Sequence, residues 1–388
     1  MARNDPVIKI DKLFGLRNTD RPERLPLGAL TLAENVDVDD SLTLEIRESP
    51  VTLSGYAGLR YLYATEDQRR LFGVRGEDLT QFDAQLNAAV LASGLGAGDY
   101  HFTELDDWVF FAGPTQGIIR NGEVIPLAVP PPDTPAVVVL PGSGRLAAGL
   151  YQVTSVAQLP DGRESAAPAA AWVEVPEGAA LRITAAPGPV YMTPVNGEIF
   201  YRAFESTGGP VDVGEIENWS IPLEPEQYQR GGVPPGVEVI EFHDGRLFAA
   251  RGDTVFFSEV YWPHLFGPQD YFCLHGAVRV LKSTREGLFI ATDRALYVYT
   301  AEESLVKLAG IGVPRGYPAV RDAESRTVYC LTHEGVMAFP PLTALTGDKY
   351  RFDSGQWASV SWVDNRGFRR LVITTQGQSN LGVNRYDR

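Results

Sequence analysis

Six acidic residues have the side chains for acid–base chemistry: Glu104, Asp106, Asp107, Glu241, Asp244 and Glu259. Paired carboxylates cleave glycosidic bonds, one as general acid and the other as base or nucleophile. Each of the six, however, lies at a turn or strand end, where acidic residues are ordinary. Neither a Ser-x-Asp-x-Gly-x-Thr-Trp box nor a serine in a recognisable arrangement with histidine occurs. The sequence therefore predicts that the chain is not an enzyme, and leaves a carbohydrate-active enzyme as an alternative.

Potential metal and cofactor ligands are sparse. The histidines are scattered along the chain: His101, His243, His264, His275 and His333. Cys273 and His275 alternate along a strand, but a zinc site needs about four ligands and nothing nearby supplies them. The glycines at 142–144 have no helix after them to hold a phosphate. We expect no catalytic residue, no metal and no cofactor.

Composition narrows the function classes further. The 388 residues are 44% hydrophobic and 21% charged, so a sizeable core can form. Lys and Arg number 34 against 49 Asp and Glu, a net charge of −15, which argues against binding to phosphate backbones. Two cysteines make no disulfide framework, and no apolar run has the length of a transmembrane helix or the position of a signal peptide.

The elements that position these residues are short strands at regular intervals. Helical periodicity is nearly absent, and apolar runs are broken by Gly, Asp, Asn and Pro about every ten residues, which indicates an all-β chain. Six hairpin-like stretches recur, starting from Arg70, Trp108, Gly245, Gly287, Arg326 and Arg370. Corresponding apolar positions are 37, 139, 41, 39 and 44 residues apart. A step near 40 is the length of a four-stranded propeller blade, so we predict a β-propeller of about six blades.

The one long step indicates an inserted domain. It contains about seven short strands without cysteines, between the proline-rich stretch at 130–135 and the Gly/Pro stretch at 231–236. This pattern is typical of an immunoglobulin-like or fibronectin III-like β-sandwich. The predicted organisation is an N-terminal arm (1–35), a first propeller segment (36–130), the sandwich (131–232) and a second propeller segment (233–388). Because a propeller must close, we expect an N-terminal strand from 36–46 to complete the last blade.

Two groups of motifs resemble a known class of proteins. The first is Gly15-Leu16-Arg17-Asn18 with Pro26-Leu27-Gly28-Ala29-Leu30 and Ala33-Glu34-Asn35-Val36-Asp37. The second is Gly245-Arg246-Leu247-Phe248 with Phe256-Phe257-Ser258-Glu259 and Trp262-Pro263. Both resemble motifs of β-propeller tail proteins of tailed bacteriophages, including the nozzle proteins of short-tailed phages, over roughly 290 residues.

The resemblance implies a structural role in the virion. It implies a ring, most often hexameric, that continues the tail tube, contacts adaptor or tube proteins, carries fibres and lets DNA pass during ejection. The chain would then be made and assembled in the host cytoplasm, and an acidic lumen would let DNA slide. A receptor- or glycan-binding tail propeller with host surface contact is the alternative. The candidate assembly contacts are Arg17, Arg21, Arg24, Tyr261 and Trp262.

Overall fold

The chain is all-β, as predicted. A computed structural model describes residues 14–17, 19–31, 36–38, 44–46, 56, 58–216, 219–228, 230–346, 357–365 and 368–376. Its helical elements in these ranges are two single 3-10 turns, Pro22–Arg24 and Pro225–Gln227. Within the same ranges, no helix has the length and apolarity needed to cross a membrane. The first two strands, β1 (Val36–Val38) and β2 (Leu44–Ile46), pair with each other in antiparallel.

Two four-stranded sheets follow, each built from strands consecutive in the chain. The first comprises β3 (Leu59–Ala64), β4 (Leu71–Arg75), β5 (Asp78–Phe82) and β6 (Ala88–Ala92). The second comprises β7 (His101–Leu105), β8 (Trp108–Ala112), β9 (Gly117–Arg120) and β10 (Glu123–Pro126). The tight turns between the strands use residues that tolerate positive φ, such as Asp106 and Asn121, which explains the Gly/Asp/Asn punctuation of the sequence.

Seven strands then form two sheets. They are β11 (Ala136–Leu140), β12 (Gly149–Ser155), β13 (Ala171–Val175), β14 (Ala180–Thr184), β15 (Gly188–Met192), β16 (Tyr201–Ser206) and β17 (Pro210–Val213). One sheet has the order β11-β14-β17 and the other β13-β12-β15-β16. One hydrophobic cluster draws residues from both sheets, among them Leu181 and Ile183 of the first and Val153 and Met192 of the second.

Two further four-stranded sheets of consecutive strands come next. One comprises β18 (Val239–His243), β19 (Arg246–Arg251), β20 (Thr254–Glu259) and β21 (Trp262–Cys273). The other comprises β22 (Val278–Ser283), β23 (Leu288–Thr292), β24 (Leu296–Tyr299) and β25 (Leu305–Ala309).

The remaining strands are β26 (Arg315–Tyr317), β27 (Ala319–Arg321), β28 (Val328–Thr332), β29 (Gly335–Phe339), β30 (Thr343–Ala344), β31 (Trp357–Asn365) and β32 (Phe368–Gln376). Strands β27 to β30 form a fifth sheet of four consecutive strands, whereas β26, β31 and β32 form a three-stranded one. The first strands of these five sheets of consecutive strands begin 42, 138, 39 and 41 residues apart. Three of these four intervals are near 40 residues and one is much longer, which agrees with the intervals between the hairpin-like stretches in the sequence.

The last described stretch of the chain bears on two predictions. The sequence pattern pairs 370–374 with 381–383 as a sixth hairpin; residues 370–374 lie in β32, which pairs with β31, and the predicted partner lies in 377–388, outside the described ranges. The strand on the other side of β31 is β26, in parallel, and not the N-terminal strand expected from 36–46, of which the described residues 36–38 and 44–46 form a separate two-stranded sheet. Strands β1 and β2 pair with each other because a complementary antiparallel partner lies close by in the sequence.

By contact density the chain divides into two compact units. One comprises 63–65 and 69–273 and holds a core in which Phe110 and Phe242 meet edge to face, with ring centroids 4.7 Å apart. The other comprises 1–62, 66–68 and 274–388, and its largest described cluster packs Phe289 on Phe339. Fully buried aromatic pairs of this kind contribute packing energy beyond the area that they remove from water.

Candidate assembly contacts and a buried ionic junction

The arginine-rich segment near the start of the chain folds back on itself. Leu16 and Leu30 form an isolated parallel bridge. The amide of Arg17 donates to the carbonyl of Leu30 at 2.8 Å, and the amide of Leu30 donates to that of Gly15 at 2.9 Å. The described parts of two separate sequence motifs, 15–17 and 26–30, are therefore one small folded unit.

The three candidate arginines differ in exposure. Arg21 and Arg24 are exposed at the ends of a 3-10 turn, where the amide of Arg24 donates to the carbonyl of Arg21 at 2.9 Å. Arg17 is half-buried, and its Nε has no hydrogen-bond partner in the described ranges of the chain. The structure thus places all three in one short segment, with two of their guanidinium groups at its surface.

Tyr261 lies at the tip of the hairpin between β20 and β21. Its side chain is 82% exposed although its backbone takes φ 63°, the left-handed region that costs a non-glycine residue about 1–2 kcal/mol. Its amide donates to the carbonyl of Gly245 at 2.8 Å. A Cβ on Gly245 would lie 3.5 Å from the Tyr261 ring, so this ring packs over the turn between β18 and β19.

Trp262 follows directly and points elsewhere. It is half-buried and pairs with Glu259, and its ring centroid lies 5.9 Å from that of His264. The stretch 261–272, with its aromatics and prolines, has the pattern of a loop held on its blade. It is instead most of the long strand β21, whose pairing with β20 shifts register near Ser258. The shift accommodates the prolines and the glycine that made the stretch resemble a loop.

A buried ionic group joins the loop between β12 and β13 to the end of β10. The guanidinium of Arg163 donates through Nη1 to the carbonyl of Leu127 at 2.9 Å and through Nη2 to that of Pro126 at 2.7 Å. Its Nε donates to Asp161 Oδ2 at 2.8 Å. The side chains of Arg163 and Asp161 are only 6% and 13% exposed. Because every described contact of this cation is charge-assisted and shielded from water, the contacts are stronger than those of surface pairs.

The same loop also contacts β21. The ring Nε2 of His264 lies 2.7 Å from the carbonyl of Glu164, which requires a proton on that nitrogen. Nδ1 of His264 is buried without a hydrogen-bond partner among the described residues. Burial, aided by the charge of Arg163, lowers the pKa of His264 and keeps the ring neutral. Gln227 Nε2 donates to Glu164 Oε2 at 2.9 Å and completes the group. We call Asp161, Arg163, Glu164, Gln227 and His264 the ionic junction.

The ionic junction was not predicted from the sequence. The Asp161-Gly162-Arg163-Glu164 stretch has the pattern of an ordinary solvated turn, because its partners are 36 or more residues away. One feature of the sequence could have indicated a buried arginine. Arg163 is the one lysine or arginine in the long interval 146–181. An isolated cation in such an interval is compatible with a buried structural role.

The candidate catalytic carboxylates lie in several different settings. Glu104 and Glu241 lie on β7 and β18, neighbouring strands linked where the amide of Phe242 donates to Thr103 Oγ1 at 3.2 Å. Glu259 instead pairs with Arg230 at 2.7 Å. The aspartates Asp106, Asp107 and Asp244 occupy exposed turns.

The described residues contain no group of three or more His, Cys, Asp or Glu that could hold a metal ion. Cys273 and Cys330 are free thiols, the first exposed and the second buried. Burial raises the pKa of Cys330. His275 lies near Arg294, with ring Nε2 3.4 Å from Nη1.

Comparison with known proteins gives remote likenesses only. No protein-family model matches the chain, and no curated protein matches it. Among solved structures, BBS1N from its complex with ARL6DN has a TM-score of 0.34 at 11% identity, over 82% of this chain and 91% of that one. The Pan2 WD40 domain of Neurospora crassa has 0.34 at 12% identity, over 81% and 86%. PorZ of Porphyromonas gingivalis, a component of the type-IX secretion system, has 0.34 at 11%, over 82% and 38%.

Proposed function

We propose that the protein is a structural component of a bacteriophage tail, a ring-forming nozzle-type subunit through which DNA is ejected and to which fibres attach. The observation that carries the proposal is the folded arginine segment. The two N-terminal motifs that resemble phage tail proteins are hydrogen-bonded to each other through Leu30. The motifs 245–248 and 256–259 likewise lie on the paired strands β19 and β20. Motifs that fold together are better support for a resemblance than motifs scattered over a chain.

The architecture in this proposal is a six-bladed propeller with one inserted sandwich. Five four-stranded sheets serve as blades, and β26, β31 and β32 form the sixth. The orders β11-β14 and β13-β12-β15-β16 correspond to strands B-E and C′-C-F-G of an immunoglobulin-type sandwich. Strand A has no counterpart in this match, and β17 pairs with β14 on the side that strand D takes in constant domains.

The proposed ring contact joins the arginine segment of one copy to acidic turns of the next. In the unit that contains 274–388, the turns after the first and third strands of a sheet lie at one end. That end carries exposed Glu286, Glu302, Glu303 and Glu324, together with Arg285 and Arg326. The opposite turns carry exposed acidic residues only at Asp293 and Glu334 among the described residues. Arg21 and Arg24 provide the complementary charge. A contact between two different surfaces is heterologous, and such contacts generate rings when the rotation closes.

A charge-exchange experiment tests this contact. The purified chain is examined by electron microscopy and native mass spectrometry, alone and with its tail partners. We expect the parent to form closed rings, most often hexamers. The double variant Arg21→Glu/Arg24→Glu should form no rings, and neither should Glu302→Lys/Glu303→Lys. Combining all four changes should restore rings, since the charges then meet again with exchanged signs.

The matched control is Arg145→Glu. Arg145 is an exposed arginine near the strands β11 to β17, in a solvent-accessible pair with Glu215, and its change should leave rings intact. Rings that survive both double variants, or a chain that never assembles with tail partners, would contradict the proposal. The carbohydrate-active alternative is tested separately by turnover of polysaccharides, which a nozzle subunit should not show.

A further inference from the structure

The outer face of the sheet β13-β12-β15-β16 is covered on one side and open on the other. Over β15, Leu223 and Tyr228 from later in the chain cover the face, where they pack with Tyr191 and Phe200 in one cluster. Over the edge strand β13, Trp172 is 64% exposed. Its strand neighbours Val173 and Val175 belong to the core between the sheets, so alternation directs Trp172 outward.

Polar groups beside the tryptophan are held in place. Gln152 lies directly opposite Trp172 on β12, and its Nε2 lies 3.4 Å from the carbonyl of Gly197 as donor. Two hydrogen bonds hold the segment 193–199 along β12. The amide of Leu150 donates to Asn196 Oδ1 at 3.0 Å, and the backbone amide of Asn196 donates to the carbonyl of Leu150 at 2.7 Å. Glu174, opposite Leu150, is exposed.

We infer that this face is a binding site for a neutral saccharide, with Trp172 as the stacking platform. The apolar C–H face of a pyranose ring carries slight positive charge and complements the negative face of an indole. The carboxamide of Gln152 and the carboxylate of Glu174 supply acceptors for hydroxyl groups at its rim. An apolar surface with a few fixed polar groups is the usual composition of a small-ligand site.

Charge and area select this ligand over others. Residues 149–155, 171–175 and 193–199 contain no lysine or arginine but do contain Glu174 and Glu198, which disfavours phosphates and acidic sugars. A stable protein interface buries about 800 Å² on each partner. A tryptophan side chain offers about 150–250 Å², and the half-buried Leu150, opposite Glu174 on the same face, adds apolar area beside it. That area suits a sugar ring or two. The site does not depend on the proposed ring.

Direct binding measurements test the site on the full chain. Hexasaccharides of glucose, mannose, galactose and N-acetylglucosamine are titrated by calorimetry and by tryptophan fluorescence, with hexagalacturonate as the anionic probe. We expect at least one neutral hexasaccharide to bind, Trp172→Ala to weaken it at least tenfold, and hexagalacturonate not to bind.

Val138→Ala is the matched control, because Val138 is 57% exposed on the neighbouring sheet, β11-β14-β17. It should leave affinity unchanged, and circular dichroism should show both variants folded as the parent is. The inference is overturned if no neutral hexasaccharide saturates at millimolar concentration, if Trp172→Ala binds as the parent does, or if the anionic probe is preferred.

Discussion

Arg163 and Leu127 are 36 residues apart in the chain, yet Nη1 of the arginine donates to the carbonyl of the leucine at 2.9 Å inside the protein. Leu127 directly follows the last strand of a four-stranded sheet, and Arg163 belongs to the two-sheet region that follows. The bond therefore ties the two-sheet region to the sheet that precedes it in the chain. The side chain of Arg163 is 6% exposed and paired with Asp161, so it holds the two parts of the chain together more firmly than the proline-rich linker between them would alone.

Loss of the Arg163 side chain should destabilise the protein strongly. Arg163→Met retains volume but leaves the carboxylate of Asp161 and the carbonyls of Pro126 and Leu127 without their donor. We expect a loss of about 3 kcal/mol in the free energy of unfolding, since breaking a buried ion pair leaves an uncompensated charge. Urea denaturation measures it, and amide exchange around 157–167 should accelerate. Arg145→Met, at an exposed pair, should change stability by less than about 0.5 kcal/mol. Equal losses in the two variants would show that Arg163 is not a structural cation.

Acidification should loosen the same attachment through His264. Its folded-state pKa lies below 6.5, so the unfolded chain takes up a proton first. Stability is then fully present above about pH 6.5 and falls as the pH decreases toward the folded pKa, by at most about 1.4 kcal/mol per pH unit. His264→Gln keeps a donor toward Glu164 but cannot titrate, so its stability should depend less on pH. The exposed His275→Gln serves as control. Identical pH slopes for the parent and His264→Gln would refute the prediction.

Replacement of Tyr261 by asparagine should stabilise the isolated chain. Asparagine tolerates the left-handed conformation that Tyr261 adopts at φ 63°, and little burial is lost from a side chain that is 82% exposed. We expect a gain of up to about 1 kcal/mol, seen as a higher melting temperature. Tyr271→Asn, within strand β21, should instead destabilise because asparagine is disfavoured in strands. A lower melting temperature for Tyr261→Asn would mean that ring packing on Gly245 outweighs backbone strain.

The two thiols should react at very different rates. Cys273 is exposed, whereas Cys330 is buried with its pKa raised, and the thiolate is the reactive species. With a disulfide reagent at about pH 8, one equivalent should react quickly and the second only after unfolding in urea. Cys273→Ser should remove the fast phase. A fast phase of two equivalents would contradict the burial of Cys330.

Local patterning predicted most of the repeat. Five hairpins, including those from Arg70 and Gly287, depend on turns and alternation within about 14 residues, and the structure contains them. For the sixth, the apolar run 370–374 pairs with 357–365, a preceding strand that the sequence pattern did not identify; its predicted partner, 381–383, lies outside the described residues. The run alone does not encode which strands pair with it.

The site was less predictable than the fold. Arg17, Arg21 and Arg24 were chosen because an arginine-rich stretch suits contact with an acidic neighbour, and their role stays a prediction. Arg163 and His264 were not, since burial of a charged or titratable group depends on partners distant in sequence. Trp172 gives no signal in the sequence either, because a tryptophan in an alternating strand has the same pattern whether its face is covered or open.

The location of the chain in an assembled virus particle tests the proposed nozzle role most directly. Antibody fragments raised against the purified chain are imaged by cryo-electron microscopy on tailed-phage particles produced from the genome that carries its gene, as the proposal requires. We predict fragments in a ring around the tail axis at its distal end, in a number equal to the symmetry of the ring. Particles that carry no fragment, or fragments only on fibres away from the axis, would contradict a nozzle-type role.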